Sequence, residues 1–227
     1  MSNIGFRILP APPAPPREWV EALRGIATAH LSDNMNRLQA ASADIRPYHD
    51  KTKLVGPALT VKVSPGDNLL VHKAIDIARP GDVIVVDAGG ELSHAIIGEI
   101  MSSLALSRGA AGMIIDGSIR DADAIAKSSF PVYARGVTHR GPYKNGPGEI
   151  NVPVCIGGAV VNPGDIVVGD EDGLVMLTPG DYIGKLIDTA HKYAAMEEAM
   201  LKAIRNGTGI DRAWVDKALA DKGCTSA

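Results

Sequence analysis

Two short stretches hold the residues best suited to chemistry, Gly98-Glu99 and Arg120-Asp121. The second follows a β-branched, glycine-ended run, "IIDGSIRDADAI" (114–125), which reads as a buried strand delivering an arginine and a carboxylate into a loop. One reading is an exposed ion pair at a helix start, with Asp121 favoured by the helix N-terminus. The other makes Asp121 an oxygen ligand for a hard cation and Arg120 the grip on a substrate oxyanion. Mg²⁺ needs only one or two protein carboxylates and keeps several waters. In the first stretch, a helix starting near Ile97 leaves the amides of Ile100 and Met101 free and outward, a ready anion site. Gly98 would then allow close approach of a ligand. The alternative is a glycine inside an amphipathic helix.

Other polar clusters point less firmly to chemistry. Asp170-Glu171-Asp172 before Gly173 reads as a solvated hairpin turn. The histidines at 30, 49, 72, 94, 139 and 191 form no local zinc motif, although His94 could approach the anion site. "GPYKNGPGE" (141–149) is glycine-rich but lacks the ending of a phosphate loop. No hydrolase elbow or dinucleotide fingerprint appears, and a methyltransferase reading fails for want of a glycine-rich cofactor motif.

The elements that must position these residues mix strands and helices without strict alternation. Strands are predicted at 53–63 (with Pro57 marking an edge or a bend), 80–90, 111–116, 131–136, 148–161 and 174–179. Helices are predicted at 18–31, 68–78, 96–109, 181–207 and 211–223, with Ser32 capping a further short helix. Pro-Gly-Asp turns recur at 65–67, 80–82 and 163–165. Residues 1–17 read as an extended proline-rich arm that could lie on a neighbouring subunit, and 18–227 as one domain.

Bulk numbers bound the class. The chain has 227 residues, 45% hydrophobic and 22% charged, enough for one domain with a core. A net charge of −3 without a basic run and 4% aromatics argue against nucleic-acid binding. Two cysteines make neither a disulfide framework nor a zinc pattern. No membrane span or signal peptide is read, so a cytoplasmic protein is expected.

"DAGGELSHAIIGEIMSSLALSRGAAGMIIDGSIRDADAI", "FPVYARG" and "GEINVPVCIGGAVVNPGDIVVGDEDGLVML" together resemble the family of 4-hydroxy-4-methyl-2-oxoglutarate / 4-carboxy-4-hydroxy-2-oxoadipate aldolases, within the RraA-like superfamily. The resemblance spans roughly residues 20–205. It implies an α/β fold, an α-β-β-α layered sandwich around a β-barrel-like core, assembled as a homotrimer or homohexamer with sites between subunits. It implies a metal-dependent aldolase of aromatic-compound catabolism, acting on a small 2-oxo acid, with oxaloacetate decarboxylase activity. Asp121 would ligate Mg²⁺ or Mn²⁺ directly. Arg120 would contact the pyruvate part, and the Ile100 and Met101 amides beside Gly98 the substrate carboxylate. Glu99, and Glu198 (or Glu197) of an adjacent subunit, would act through metal-bound water. The pattern departs at Ala124, where the aldolases carry an acidic residue. The same superfamily holds non-catalytic regulators of an RNA-degrading endonuclease, which is the alternative.

Overall fold

The computed structural model describes residues 3–225. In chain order the elements are β1 (Phe6–Ile8), α1 (Arg17–Leu23), α2 (Thr28–Asp33), β2 (Arg46–Pro47), β3 (Leu54–Val63), α3 (Leu69–Ile77), β4 (Val83–Ile97), α4 (Glu99–Ser107), β5 (Gly112–Ile119), α5 (Ala122–Ala126) and β6 (Val132–Val137). Three short strands follow, β7 (Gly148–Ile150), β8 (Val154–Ile156) and β9 (Ala159–Val161). The chain ends with the hairpin β10 (Ile166–Asp170) and β11 (Gly173–Leu177), then α6 (Tyr182–Arg205) and α7 (Ala213–Asp221). Among the described residues no helix is long and apolar enough to cross a membrane.

The main sheet runs β1-β7-β3-β4-β5-β6-β2, with the β10-β11 hairpin branching from β3. Side chains alternate faces along a strand, and here the alternation sorts the core into three clusters. Ile84, Val86, Met113 and Ile115 face α3 and α4. Val83, Val85 and Ile114 point the other way and meet Val167 and Met176 of the hairpin. The hairpin's outer face, with Ile166, Val168, Val175 and Leu177, packs on α1, α2 and α6 through Leu23, Leu31 and Ile183. Three buried interfaces make four layers, α-β-β-α, as expected from the resemblance.

β3 belongs to both sheet layers. Its first residues pair antiparallel with β10 and its last pair parallel with β4. Pro57 sits where one partner hands over to the other, so the proline marks a junction within an internal strand rather than an edge. β3, β4, β5 and β6 are mutually parallel and separated by α3, α4 and α5. This stretch is therefore a regular βα succession, against the expected lack of alternation. The order was obscured because β4 runs fifteen residues through several register shifts and α5 has only five.

Other local expectations shift as well. The predicted helix at 18–31 is two helices, because Asp170 and Lys53 pin the break. The Asp170 carboxylate accepts from the Thr28 amide (2.8 Å), the Thr28 hydroxyl and Lys53 Nζ (2.8 Å), and Lys53 Nζ also donates to the Ile26 carbonyl (2.6 Å). Burial pushes the Asp170 carboxyl up, but the hydrogen bonds from Lys53 and Thr28 outweigh it and hold the group below its usual range. The first acid of the hairpin turn is thus a structural anchor, while Glu171 and Asp172 are exposed. Ser32 lies inside α2 and caps nothing; its carbonyl accepts from Met35 and Arg37 as the chain leaves the helix. The start of the proline-rich arm is tied to its own chain. β1 pairs in parallel with β7, Arg7 forks onto Glu149 (2.6 and 2.9 Å), and Asn151 holds the Leu9 carbonyl (2.8 Å).

Candidate active site

Parallel strands end together, and the loops leaving their carboxyl ends converge on one crevice. β4 and β5 finish in register at Ile97 and Ile119, so Gly98-Glu99 and Arg120-Asp121 leave the sheet side by side. The Arg120 amide donates to the Ile97 carbonyl (3.0 Å), which fixes the two turns together. β3 leads to Asn68 and β6 to Pro142 and Lys144. Residues from all four turns line a cavity of about 140 Å³.

The predicted helix at 96–109 begins later, because Ile96 and Ile97 are buried strand residues and Gly98 is the N-cap. Gly98 has φ −150°, extended backbone open to any residue, so torsion does not require glycine here. Space does. A β-carbon would collide with Asp121 Oδ2 and lie 2.9 Å from Arg120 Cγ. The Glu99 amide donates to Asp121 Oδ2 (3.0 Å), so the carboxylate caps the start of α4. The amides of Ile100 and Met101 have no partner among the described residues. Arg120 Nε lies 3.7 Å from Asp121 Oδ2.

Asp121 adopts the left-handed conformation, φ 56° and ψ 37°. Glycine would occupy that region without cost; most L-residues are strained there, aspartate less than most. Its Oδ1 has no hydrogen bond among the described residues, and the side chain is exposed. The described residues contain no group of three or more His, Cys, Asp or Glu side chains that could hold a metal. Such a cage suits zinc. A single open carboxylate on an exposed loop fits Mg²⁺ or Mn²⁺, hard cations that keep most of their waters.

The structure thus brings Gly98, Ile100, Met101, Arg120 and Asp121 to one cavity wall. Glu99 joins them through its backbone, but its side chain is not part of that wall. Neither Glu197 nor Glu198 lines the cavity of its own chain. Glu197 is engaged by His30 Nε2 (2.7 Å), whereas Glu198 is exposed with only a loose contact to Arg205 (3.8 Å). His94 packs against the Tyr143 ring (centroids 5.0 Å apart) and stays off the wall. Three polar wall residues were not picked out as site candidates in the sequence: Asn68, His72 and Lys144. The glycine-rich segment 141–149 was the available signal for Lys144, set aside because it lacked a phosphate-loop ending.

Residues 28–176 match the family model described as RraA-like, Aldolase/RraA. The chain belongs to this RraA-like family. It is 39% identical over 202 residues to a protein of Halalkalibacterium halodurans named "Putative 4-hydroxy-4-methyl-2-oxoglutarate aldolase", covering 89% of this chain and 96% of that one. An uncharacterized protein from Pseudomonas syringae pv. tomato has a similar crystal structure (TM-score 0.75, 27% identity, 86% of this chain and 96% of that one). So does the RNA-processing inhibitor RraA from Thermus thermophilis (TM-score 0.63, 30% identity, 68% and 95%). The family therefore includes proteins named as aldolases and proteins named as RNA-processing inhibitors.

Proposed function

We propose that the protein is a divalent-metal-dependent pyruvate aldolase. Its substrate would be 4-hydroxy-4-methyl-2-oxoglutarate or 4-carboxy-4-hydroxy-2-oxoadipate, split to pyruvate and a second 2-oxo acid, and oxaloacetate would be decarboxylated at the same site. The observation that carries this reading is the convergence of Arg120, a strained and half-open Asp121 and the free amides of α4 on one cavity. A surface used only for protein contact has no use for that arrangement.

Asp121 would hold the cation, which when bound would supply Lewis-acid polarisation of the substrate keto group. The Ile100 and Met101 amides and the positive end of α4 receive the C1 carboxylate. Loss of the C4 hydroxyl proton breaks the C3–C4 bond, and the electron pair moves onto the pyruvyl half as an enolate. Arg120, on the same cavity wall, would stabilise the charge that develops on the enolate oxygen. Glu99, exposed at the first turn of α4 just outside the cavity wall, would act at one remove, through a water that takes the hydroxyl proton and later returns one to C3. Decarboxylation yields the same enolate with loss of CO2 and no hydroxyl proton to remove, so it draws on Asp121, the α4 amides and Arg120, and shares only the return of a proton to C3. Glu99, Ile100, Arg120 and Asp121 are all exposed in the single chain, which supports closure by a second subunit of a homotrimer or homohexamer. Glu198, free where Glu197 is tied, is the residue that would reach across.

The test is Arg120→Lys, assayed on an aldol substrate and on oxaloacetate. Lysine keeps the charge but loses the planar fork. Turnover of both substrates should fall about a hundredfold, the usual cost of losing one charge-stabilising donor. Wild-type kinetics on both would refute the role. The likeness to the RNA-processing inhibitor favours a second reading, binding of an RNA-degrading endonuclease. A pull-down with such an enzyme, lost in Arg120→Lys while turnover is unchanged, would favour it instead.

A further inference from the structure

Every residue from 9 to 16 is either a proline or precedes one. A proline fixes its own φ at about −65° and pushes the residue before it into the extended region. Such a run favours polyproline II, a helix of about three residues per turn without internal hydrogen bonds. Residues 9–16 belong to no helix or strand, and Pro16 has φ −51° and ψ 131° where the run meets α1. Burial follows the three-residue period. Pro12 and Pro15 are half-buried, whereas Pro10, Ala11, Pro13, Ala14, Pro16 and Arg17 are exposed. The inner face is fastened to the body. Arg79, held by Asp82 (3.2 Å from Nε), donates from Nη1 to the Pro12 carbonyl (3.2 Å). A β-carbon on Gly164 would lie 2.8 Å from Pro12 Cγ. Two Pro-Gly-Asp turns, 80–82 and 163–165, thus form the bed of the arm.

The outward faces form a ridge of Pro10-Ala11, Pro13-Ala14 and Pro16-Arg17, with small residues between the rings. The amides of Ala11 and Ala14 and the carbonyls of Pro10 and Pro13 have no partner among the described residues. The Arg17 side chain is 91% exposed, and its pairing with Glu21 at 3.7 Å is a loose surface contact. Glu18 follows on the first turn of α1. Spaced rings, free carbonyls and a terminal cation match what an aromatic-lined groove reads in a polyproline ligand. Aromatic side chains flank the rings, a Trp N–H or Tyr O–H donates to a carbonyl, and an acidic residue meets the cation. Because the ridge is already fixed to the body, little conformational freedom is lost on binding. A second copy of this chain is a poor occupant. Among the described residues, the aromatic contacts each join a histidine to a tyrosine, and no two Phe, Tyr or Trp rings form a slot.

We propose that residues 10–17 are a docking ridge for another protein, one that presents an aromatic-lined, proline-reading groove with an acidic rim facing Arg17. The arm precedes residues 28–176, which match the family model, and the ridge stands independently of the aldolase reading.

The probes are purified proline-reading domains of the SH3, WW and EVH1 kinds, some with acidic and some with basic groove rims, titrated with the full-length protein in a calorimeter. Acid-rimmed domains should bind and basic-rimmed ones should not. Arg17→Glu should weaken binding about tenfold or more, the size of one charge-assisted hydrogen bond. It leaves a carboxylate on the first turn of α1, which suits the helix start. Pro10→Ala combined with Pro13→Ala should also weaken binding at least about tenfold, because two rings and the stiffness of the ridge are lost. Both prolines are exposed, so hydrogen-exchange protection at Phe6–Ile8 should stay as in wild type. Absence of binding by every acid-rimmed domain overturns the proposal, as does binding indifferent to both variants. Sedimentation of the protein alone is the second arm. A sedimentation coefficient that falls in the double proline variant would make a second copy the occupant and overturn the proposal; an unchanged one is expected.

Discussion

Asp121→Gly separates a structural role from a chemical one at the residue on which the site turns. At φ 56° and ψ 37° an ordinary L-residue gives up about 1–2 kcal/mol, less for aspartate, and glycine removes that strain. Against this, the substitution deletes the hydrogen bond from the Glu99 amide, about 0.5–1 kcal/mol at an exposed site. The loose Arg120 contact at 3.7 Å, between half-exposed side chains, adds little. The extra freedom of glycine in the unfolded chain costs about 0.4–1 kcal/mol. These contributions nearly cancel, so denaturant unfolding should give a stability within about 1 kcal/mol of wild type. Metal-dependent pyruvate release should nevertheless be lost, because the cation has no other carboxylate in the cavity lining. A large loss of stability would make Asp121 a plain helix cap, and retained turnover would remove it as the ligand.

Two further outcomes follow from the same geometry. Gly98→Ala should leave the backbone conformation unstrained yet push Asp121 and Arg120 aside, lowering turnover about a hundredfold, the effect of roughly 1 Å of misplacement; wild-type kinetics would show that Gly98 is not needed for space. The arm should release in acid. The Arg7 fork, helped by the Gly5 amide, holds the Glu149 carboxyl down to about 2, below the value of about 4.3 for a free glutamate. A depressed carboxyl stabilises the docked arm fully above the free value and loses that contribution as pH falls toward the folded one. Hydrogen-exchange protection at Phe6–Ile8 should therefore fade between about pH 4 and pH 2, and Arg7→Ala should remove this dependence. Protection that is flat over that range would count against the latch.

The site was legible where chemistry and chain direction coincide. A buried strand that ends in Arg-Asp and a second that ends in Gly-Glu need only parallel neighbours in register to meet, and β4 and β5 supply that. The far wall was not legible, because Asp67 acts on amides of residues 145 and 146, remote in sequence. Its Pro-Gly-Asp spelling is shared with two turns that do nothing of the kind. The break between α1 and α2 was hidden for the same reason: the anchors at Lys53 and Asp170 come from other parts of the chain. The layers were easier to read. Alternation in runs such as Val83–Val86 and Ile166–Val168 assigns each face, and only the identity of the opposite layer needs the fold.

The most direct test of the central claim is pyruvate release from 4-hydroxy-4-methyl-2-oxoglutarate by the purified protein, first stripped with EDTA and then resupplied with Mg²⁺ or Mn²⁺. Weak retention is expected of a cation held by one protein carboxylate, so stripping should be easy and readdition should restore activity. The account predicts no pyruvate without metal and recovery with it, in wild type and not in Asp121→Gly. Equal release from the stripped wild type, or recovery in Asp121→Gly, would contradict it.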